Sequence, residues 1–296
     1  MIIMRILVLG IYGMLGHKMA KVLGRGHEIW GTCRQIRAIG LMPKERILEG
    51  VNANDFQSVL AAIDAVKPDV VVNCIGLIKQ LKAADELTTS LEINSLFPQK
   101  LAVASSFRGI RLVHFSTDCV FSGNKGMYKQ DDVPDATDIY GKTKILGEVK
   151  GENCITIRSS MIGRELGTQN GLLEWFISNR NKKVRGYRKA IYSGFTTLEM
   201  GNIVKMIIEN HCELTGVWQV ASQPISKYDL LKIINQKLDL NIKVEPFDDF
   251  VCDRSLDGSE FSKKTGYVAP SWKQMIDDLS NDDCEIYERI NTKVRT

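Results

Sequence analysis

Residues 2–16 read IIMRILVLGIYGMLG, and their order decides the fold class. Ile2 to Leu9 is an apolar run broken by Arg5 alone, the mark of a strand buried on both faces of a parallel sheet. It runs into Gly10, Gly13 and Gly16, and a helical pattern follows through Leu23. Glycines between a strand and a helix let the backbone turn tightly and approach a pyrophosphate at the helix N-terminus. The spacing is G-x-x-G-x-x-G rather than G-x-G-x-x-G. Directly after a first strand, it still points to a dinucleotide, held by Gly10, Tyr12, Gly13, Met14, Leu15 and Gly16.

Outward from this turn, strands and helices alternate. A second strand, about residues 27–33, ends at Cys33-Arg34, with Arg37 nearby and no carboxylate. An acidic residue there favours NADH; an arginine matches a 2′-phosphate by charge and by its planar fork of donors. NADPH is therefore the expected cofactor, with NADH as the alternative. A short third strand is expected at residues 51–55, where Asn52 faces the cofactor and Asp55 caps a helix over 56–66. A fourth follows at 70–76, and its end, Cys74, Ile75, Gly76 and then Lys79, runs along the cofactor. Asn94, in a helix over about 90–107, reads either as a brace for the site or as a surface polar residue. Strands at 111–115 and 154–158 complete the series. The pattern is α/β: a Rossmann-type, doubly wound parallel sheet.

The chemistry lies in residues 113–148, VHFSTDCVFSGNKGMYKQDDVPDATDIYGKTKILGE. The fifth strand runs into Ser116-Thr117-Asp118, and Tyr140 and Lys144 sit four apart at the start of a helix, hence on one face. A phenol beside an ammonium is expected to titrate below its usual ~10 and to serve as an acid. Tyr-x-x-x-Lys alone is common by chance. The upstream Ser-Thr-Asp and the N-terminal glycines give it weight.

Composition sets the outer limits. The 296 residues are 44% hydrophobic and 25% charged, with a net charge of +4 spread along the chain, so no nucleic-acid or membrane partner is expected. Seven cysteines without a C-x-x-C pair fit reduced thiols in a cytoplasmic protein. Neither a signal peptide nor an apolar run of about 18 residues is apparent. No acidic cluster calls for a metal, and none is expected.

Beyond Gly163 the rhythm changes. A helix from about Asn170 through Trp175, a basic run RNKKVRGYRKA at 180–190, and a turn at 192–197 precede a helix over 198–210 and a strand at 216–220. An amphipathic helix spans 227–238, and a loop carries Asp253-Arg254-Ser255-Leu256. Two bodies are expected: a cofactor domain of residues 1–165 plus about 196–221, and a smaller substrate-binding lobe of about 166–195 plus 222–285, with 286–296 as a frayed tail. Substrate contacts are assigned to Lys79, Thr117, Asp118, Cys119, Asn170, Trp175, Arg185, Tyr187 and Arg254. Arg180, Arg185 and Arg188 either meet a diphosphate or form a solvated charge run.

Taken together, the glycine loop, FSTDCVFSG, Tyr128, Pro134, YGKTKILGE and Ile157-Arg158 resemble the extended short-chain dehydrogenase/reductases, and among them the dTDP-4-dehydrorhamnose reductase family. The resemblance implies a two-lobed fold and NAD(P)H-dependent reduction of the C4 ketone of a nucleotide-linked 4-keto-6-deoxyhexose, an activated deoxysugar for surface polysaccharide. It implies Thr117, Tyr140 and Lys144 as the catalytic triad. Cys119 stands where the family often has Tyr, which leaves a UDP-2-acetamido-4-keto-6-deoxyhexose as an alternative substrate. A relative that serves methionine adenosyltransferase as a regulatory subunit implies a different class, a non-catalytic NADP-binding subunit. The partners expected are the nucleotide-diphosphate sugar and, as a homodimer, a second copy of the chain.

Overall fold

A computed structural model describes residues 2–282 together with Ile286 and Tyr287. Seven strands form the central sheet: β1 (Arg5–Leu9), β2 (Glu28–Thr32), β3 (Ile47–Leu48), β4 (Val70–Asn73), β5 (Arg111–Phe115), β6 (Cys154–Arg158) and β7 (Gly216–Gln219). Their spatial order is β7-β6-β5-β4-β1-β2-β3, and every neighbouring pair is parallel. The order reverses between β1 and β4, so the crevice for a ligand opens beyond their carboxyl ends.

Alternation along the strands shows why the sequence takes this form. Ile6 and Val8, Val70 and Val72, Val113 and Phe115, Ile155 and Ile157 share one core with the helices Gly16–Leu23 and Thr197–Asn210. Leu7 and Leu9, Val71, Leu112 and Cys154 face the opposite way, onto the helices Phe56–Val66 and Phe97–Phe107. Period-two patterning with both sets apolar is what a sheet covered on two sides requires.

Residues after β6 build smaller sheets. Lys183–Tyr187 pairs in parallel with Lys243–Phe247. Ala190–Tyr192 lies between Ile225–Ser226 and Cys252–Asp253. Met161–Ile162 pairs with Phe195–Thr196.

Several expected boundaries move. The first strand starts at Arg5, not Ile2, because its neighbours register only from Arg5 and Ile6 onward; Ile2 and Ile3 are exposed. The third strand is Ile47–Leu48, a two-residue pairing with Gly31 and Thr32, rather than 51–55. Residues 52–55 instead form a turn, and Asp55 accepts from the Ser58 amide to cap the next helix, as expected. The helix near Asn170 begins at Leu172. Both the basic run and the supposed turn at 192–197 contribute strands. Of the expected tail, Ile286 and Tyr287 are buried against Leu166, and 288–296 lie outside the described residues.

Candidate active site

Local sequence sets the Ile139–Leu146 helix tightly against its surroundings. Asp138 caps it by accepting from the Gly141 amide at 2.7 Å. A Cβ on Gly141 would lie 2.4 Å from the Cys119 carbonyl oxygen, so only glycine allows the helix start to press on the turn after β5. At the other end the Gly147 backbone meets the Asn94 carbonyl, and the Ser95 hydroxyl donates to the Thr143 carbonyl at 2.7 Å. Residues Leu91–Leu96 form a π-helical turn within the longer helix around them. Such turns recur at functional sites. Here the turn buries Asn94, whose side chain accepts from the Leu77 amide at 2.9 Å and donates to the Leu77 carbonyl at 3.4 Å. Asn94 is thus a brace for the chain leaving β4, not a surface residue.

These contacts bring Thr117, Asp118, Cys119, Tyr140, Lys144, Lys79 and Arg254 to one place. Thr117 Oγ1 donates to Asp118 Oδ1 at 3.1 Å and accepts from the Cys119 amide at 3.1 Å. The Tyr140 phenol lies near enough for the same hydroxyl to act on its titration. Lys144, buried, donates to the Phe115 carbonyl at 2.7 Å. Lys79 pairs with Asp138 at 2.6 Å, and Arg254 Nε donates to the Phe121 carbonyl at 2.8 Å. Asp138 was not foreseen as part of this cluster, although an Asp three residues before Gly141 is an N-cap signature.

The electrostatics correct one expectation. The Tyr140 phenol is shifted up, not down: burial is the main cause, Cys119 adds to it, and the Thr117 hydroxyl opposes it. Desolvation outweighs any nearby positive charge because the Lys144 ammonium is turned onto the Phe115 carbonyl. Lys144 itself falls to about 8, through burial first, with Glu148 pulling the other way. Cys119 is pushed up to about 12 by burial and then by Asp118, so it stays a thiol. Beneath the site, Glu148 takes two hydrogen bonds from Arg158, at 2.8 and 2.7 Å, and one from Ser116 at 2.7 Å. That buried pair ties the helix to the ends of β5 and β6.

The glycine loop lies at the same end of the sheet. Gly10 has φ +79°, a left-handed conformation, and its amide donates to Thr32 Oγ1 at 3.2 Å. A Cβ on Gly16 would sit 2.1 Å from the Gly10 carbonyl oxygen, so the loop closes on itself only with glycine there. The helix that follows has no side-chain cap and no acidic residue in its first turn, which leaves its N-terminus open to an anion. Gly13 and Cys74 lie alongside, Ile75 packs on Gly10, and Gly76 is near the Asn94 side chain. Met14 approaches Gly171, and Leu15 is buried. Arg34 is exposed at the end of β2 and forms no side-chain bond among the described residues. Arg37 is engaged, donating to the Leu166 carbonyl at 2.7 Å and lying over the Tyr12 ring. These features fit a dinucleotide with its pyrophosphate on the loop.

Other expected residues are occupied elsewhere. Arg180 donates to the Asp239 carbonyl, Arg185 stacks on Phe247 at 4.9 Å, and Arg188 pairs with Asp248. Each of the three cations has a partner of its own among the described residues. Tyr187 packs on Phe247 and Phe250, and Trp175 is half-exposed on its short helix. Asn170 donates its amide to Glu165 at 3.2 Å, while Asn52 stays in the turn before the Phe56–Val66 helix. Among the described residues no group of His, Cys, Asp and Glu is arranged to hold a metal, and no helix is long and apolar enough to cross a membrane.

Known proteins share this arrangement. The family model described as "RmlD substrate binding domain" matches residues 4–282. A dTDP-4-dehydrorhamnose reductase from Aggregatibacter actinomycetemcomitans is 26% identical over 76% of this chain and 76% of its own length. The spore coat polysaccharide biosynthesis protein SpsK of Bacillus subtilis is 33% identical over 49% of this chain, a match that spans only 47% of that protein. The mouse methionine adenosyltransferase 2 subunit beta is 30% identical over 49% of this chain and 41% of its own. Among solved structures, Bacillus anthracis dTDP-4-dehydrorhamnose reductase in complex with NADP superposes with a TM-score of 0.77 at 20% identity, covering 93% of this chain and 98% of that one, and so shares the fold. The chain belongs to the RmlD substrate-binding-domain family, the dTDP-4-dehydrorhamnose reductase family of the extended short-chain dehydrogenase/reductases.

Proposed function

We propose that this protein is an NADPH-dependent reductase of the C4 ketone of a nucleotide-linked 4-keto-6-deoxyhexose, supplying an activated deoxysugar for a surface polysaccharide. The protein is an oxidoreductase of the NAD(P)H-dependent, extended short-chain type. The observation that carries the finer reading is the placing of Thr117 and Tyr140, two hydroxyls at the carboxyl end of β5 close enough for Thr117 to act on the phenol, with Lys144 one helical turn behind.

The bound nicotinamide supplies the hydride. Everything else falls to the chain's own groups. The phenol stays protonated, because burial raises its pKa, and so is held ready to give its proton to the oxygen that becomes an alkoxide. Thr117 turns its one hydroxyl proton from Asp118 onto the same oxygen and stabilises its growing charge. Lys144 spends one ammonium proton on the Phe115 carbonyl and has two left for the ribose hydroxyls of the cofactor. Gly10, Gly13 and Gly16 cradle the pyrophosphate, and Arg34 takes the 2′-phosphate. Lys79, Asp118, Cys119 and Arg254 border the sugar nucleotide.

The test of these roles is a paired measurement on Thr117→Val and Tyr140→Phe. Both are expected to bind NADPH as the native protein does and to lose turnover with a 4-keto sugar nucleotide. Native turnover in the Tyr140→Phe protein would remove the assignment.

A further inference from the structure

Tyr192 ends the Ala190–Tyr192 strand, paired with Ile225. Two neighbours fix its ring. It tilts against Trp272 with centroids 5.3 Å apart, and it lies over Gly194. A Cβ at Gly194 would come within 2.4 Å of both the phenol carbon and oxygen, and within 2.2 Å of the Ser160 carbonyl oxygen. The hydroxyl therefore sits beside Ser160, just past the carboxyl end of β6. Since β6 pairs with β5 through Ile157 and Phe115, this is the mouth where β5 delivers Thr117 and Asp118.

That hydroxyl is buried and has no hydrogen-bond partner among the described residues. A buried Tyr O–H ordinarily finds one. Its proton is firmly held, since burial and then the Asp118 carboxylate raise the pKa well above the usual value. It is thus a donor without an acceptor, on a ring that cannot swing away. Buried polar groups left unpaired at a functional site are commonly matched by the ligand, which makes them strong selectors of it.

We propose that Tyr192 is a substrate-binding residue whose hydroxyl donates to an oxygen substituent of the hexose ring held over Thr117 and Tyr140. This rests on the ketoreductase reading and deepens it: the smaller lobe recognises the sugar itself, apart from its nucleotide.

Tyr192→Phe is the fitting variant, because it removes one oxygen and keeps the ring against Trp272 and Gly194. In the full-length protein three results are expected. Without ligand, Tm is unchanged or higher, because an unpaired buried hydroxyl has gone. NADPH binds as before. KM for the 4-keto sugar nucleotide rises about tenfold, the value of one hydrogen bond, with kcat within a few-fold. Calorimetry of the NADP-loaded protein with dTDP-glucose and with dTDP adds a readout free of turnover: the variant loses the extra affinity that the hexose confers. An unchanged KM, or a lowered Tm with weakened NADPH binding, would make Tyr192 a structural residue and overturn the proposal. If the native protein turns over the ketone and Tyr192→Phe equals it, this inference alone fails. If the native protein neither turns over a 4-keto sugar nucleotide nor distinguishes dTDP-glucose from dTDP, the ketoreductase reading fails and takes this inference with it.

Discussion

Tyr140 and Lys144 show how burial divides work between two groups one helical turn apart. Burial shifts the phenol up and the ammonium down to about 8, so near neutrality the acid keeps its proton and the amine its charge. Tyr140→Phe is expected to lower kcat on the order of 10²-fold or more, the range for a lost general acid, while NADPH binding persists. Steady-state kinetics with fluorescence titration of NADPH would check both halves. Lys144 should also appear in the pH profile. In its proposed role the ammonium form holds the ribose, so activity is expected to be full below about 8 and to decline as pH rises through that value. A kcat/KM profile flat from pH 7 to 10 would count against this role. Arg34 is a simpler case. It is exposed and makes no side-chain bond among the described residues, and Arg34→Ala is expected to weaken NADPH about tenfold or more through lost charge-assisted hydrogen bonds. NADH affinity should hardly change, and parallel titrations of the two cofactors decide the point.

Among the elements, the π-helical turn at Leu91–Leu96 carries the most consequence. Its Asn94 side chain pairs with both backbone groups of Leu77, and Asn94→Ala would leave these half-buried groups without that partner, at about 1 kcal/mol. A drop in denaturant midpoint together with weaker substrate binding is the expected outcome, since Leu77 lies between the cofactor strand and Lys79. This turn was not legible in the sequence. A single turn gives too short a stretch for a phase slip in the apolar pattern to show, so residues 90–107 read as one ordinary helix. The strands at β5 and β6 were legible to the residue, because both are buried on two faces and bounded by polar turns. β3 was not: two residues, Ile47 and Leu48, carry no period of their own and are strands only because β2 offers an edge. The residues proposed as catalytic could be picked out in the sequence because their spacing is local. The partners of Arg180, Arg185 and Arg188 lie some sixty residues away in sequence, so nothing near them announced that they were taken.

Across the whole molecule, the far C-terminal segment returns to the cofactor loop. Asp282 pairs with Lys18 and Lys21, and the Tyr287 hydroxyl meets His17 Nε2 at 2.7 Å, while Nδ1 faces the Gly13 carbonyl at 2.8 Å. The second contact needs a proton on Nδ1 and the first is satisfied by a bare Nε2, so the ring is neutral. Burial, followed by the opposing pull of the Gly13 carbonyl and the push of Lys18, lowers its pKa from 6.5 to about 4. Between these values the unfolded chain binds a proton that the folded chain does not. Stability is therefore full above about pH 6.5 and is lost as pH falls towards 4, by on the order of 3 kcal/mol in total. His17→Gln is expected to flatten the fall of Tm between pH 6.5 and 4, measured by thermal melts across that range. A slope as steep as the native one would show that His17 is not the titrating group. This return of the chain was hidden from sequence reading, which took the last residues for a tail because no periodic pattern marks them.

The central claim is tested most directly by following NADPH oxidation when the purified protein meets a 4-keto sugar nucleotide made in place by its upstream enzymes. A dTDP-4-keto-6-deoxyhexose and a UDP-2-acetamido-4-keto-6-deoxyhexose would be offered separately. Oxidation with one of them, abolished by Tyr140→Phe, is the predicted result, and it names the nucleotide and the sugar class together. Tight NADPH binding with no oxidation in either case would contradict the account and point to a non-catalytic, regulatory subunit.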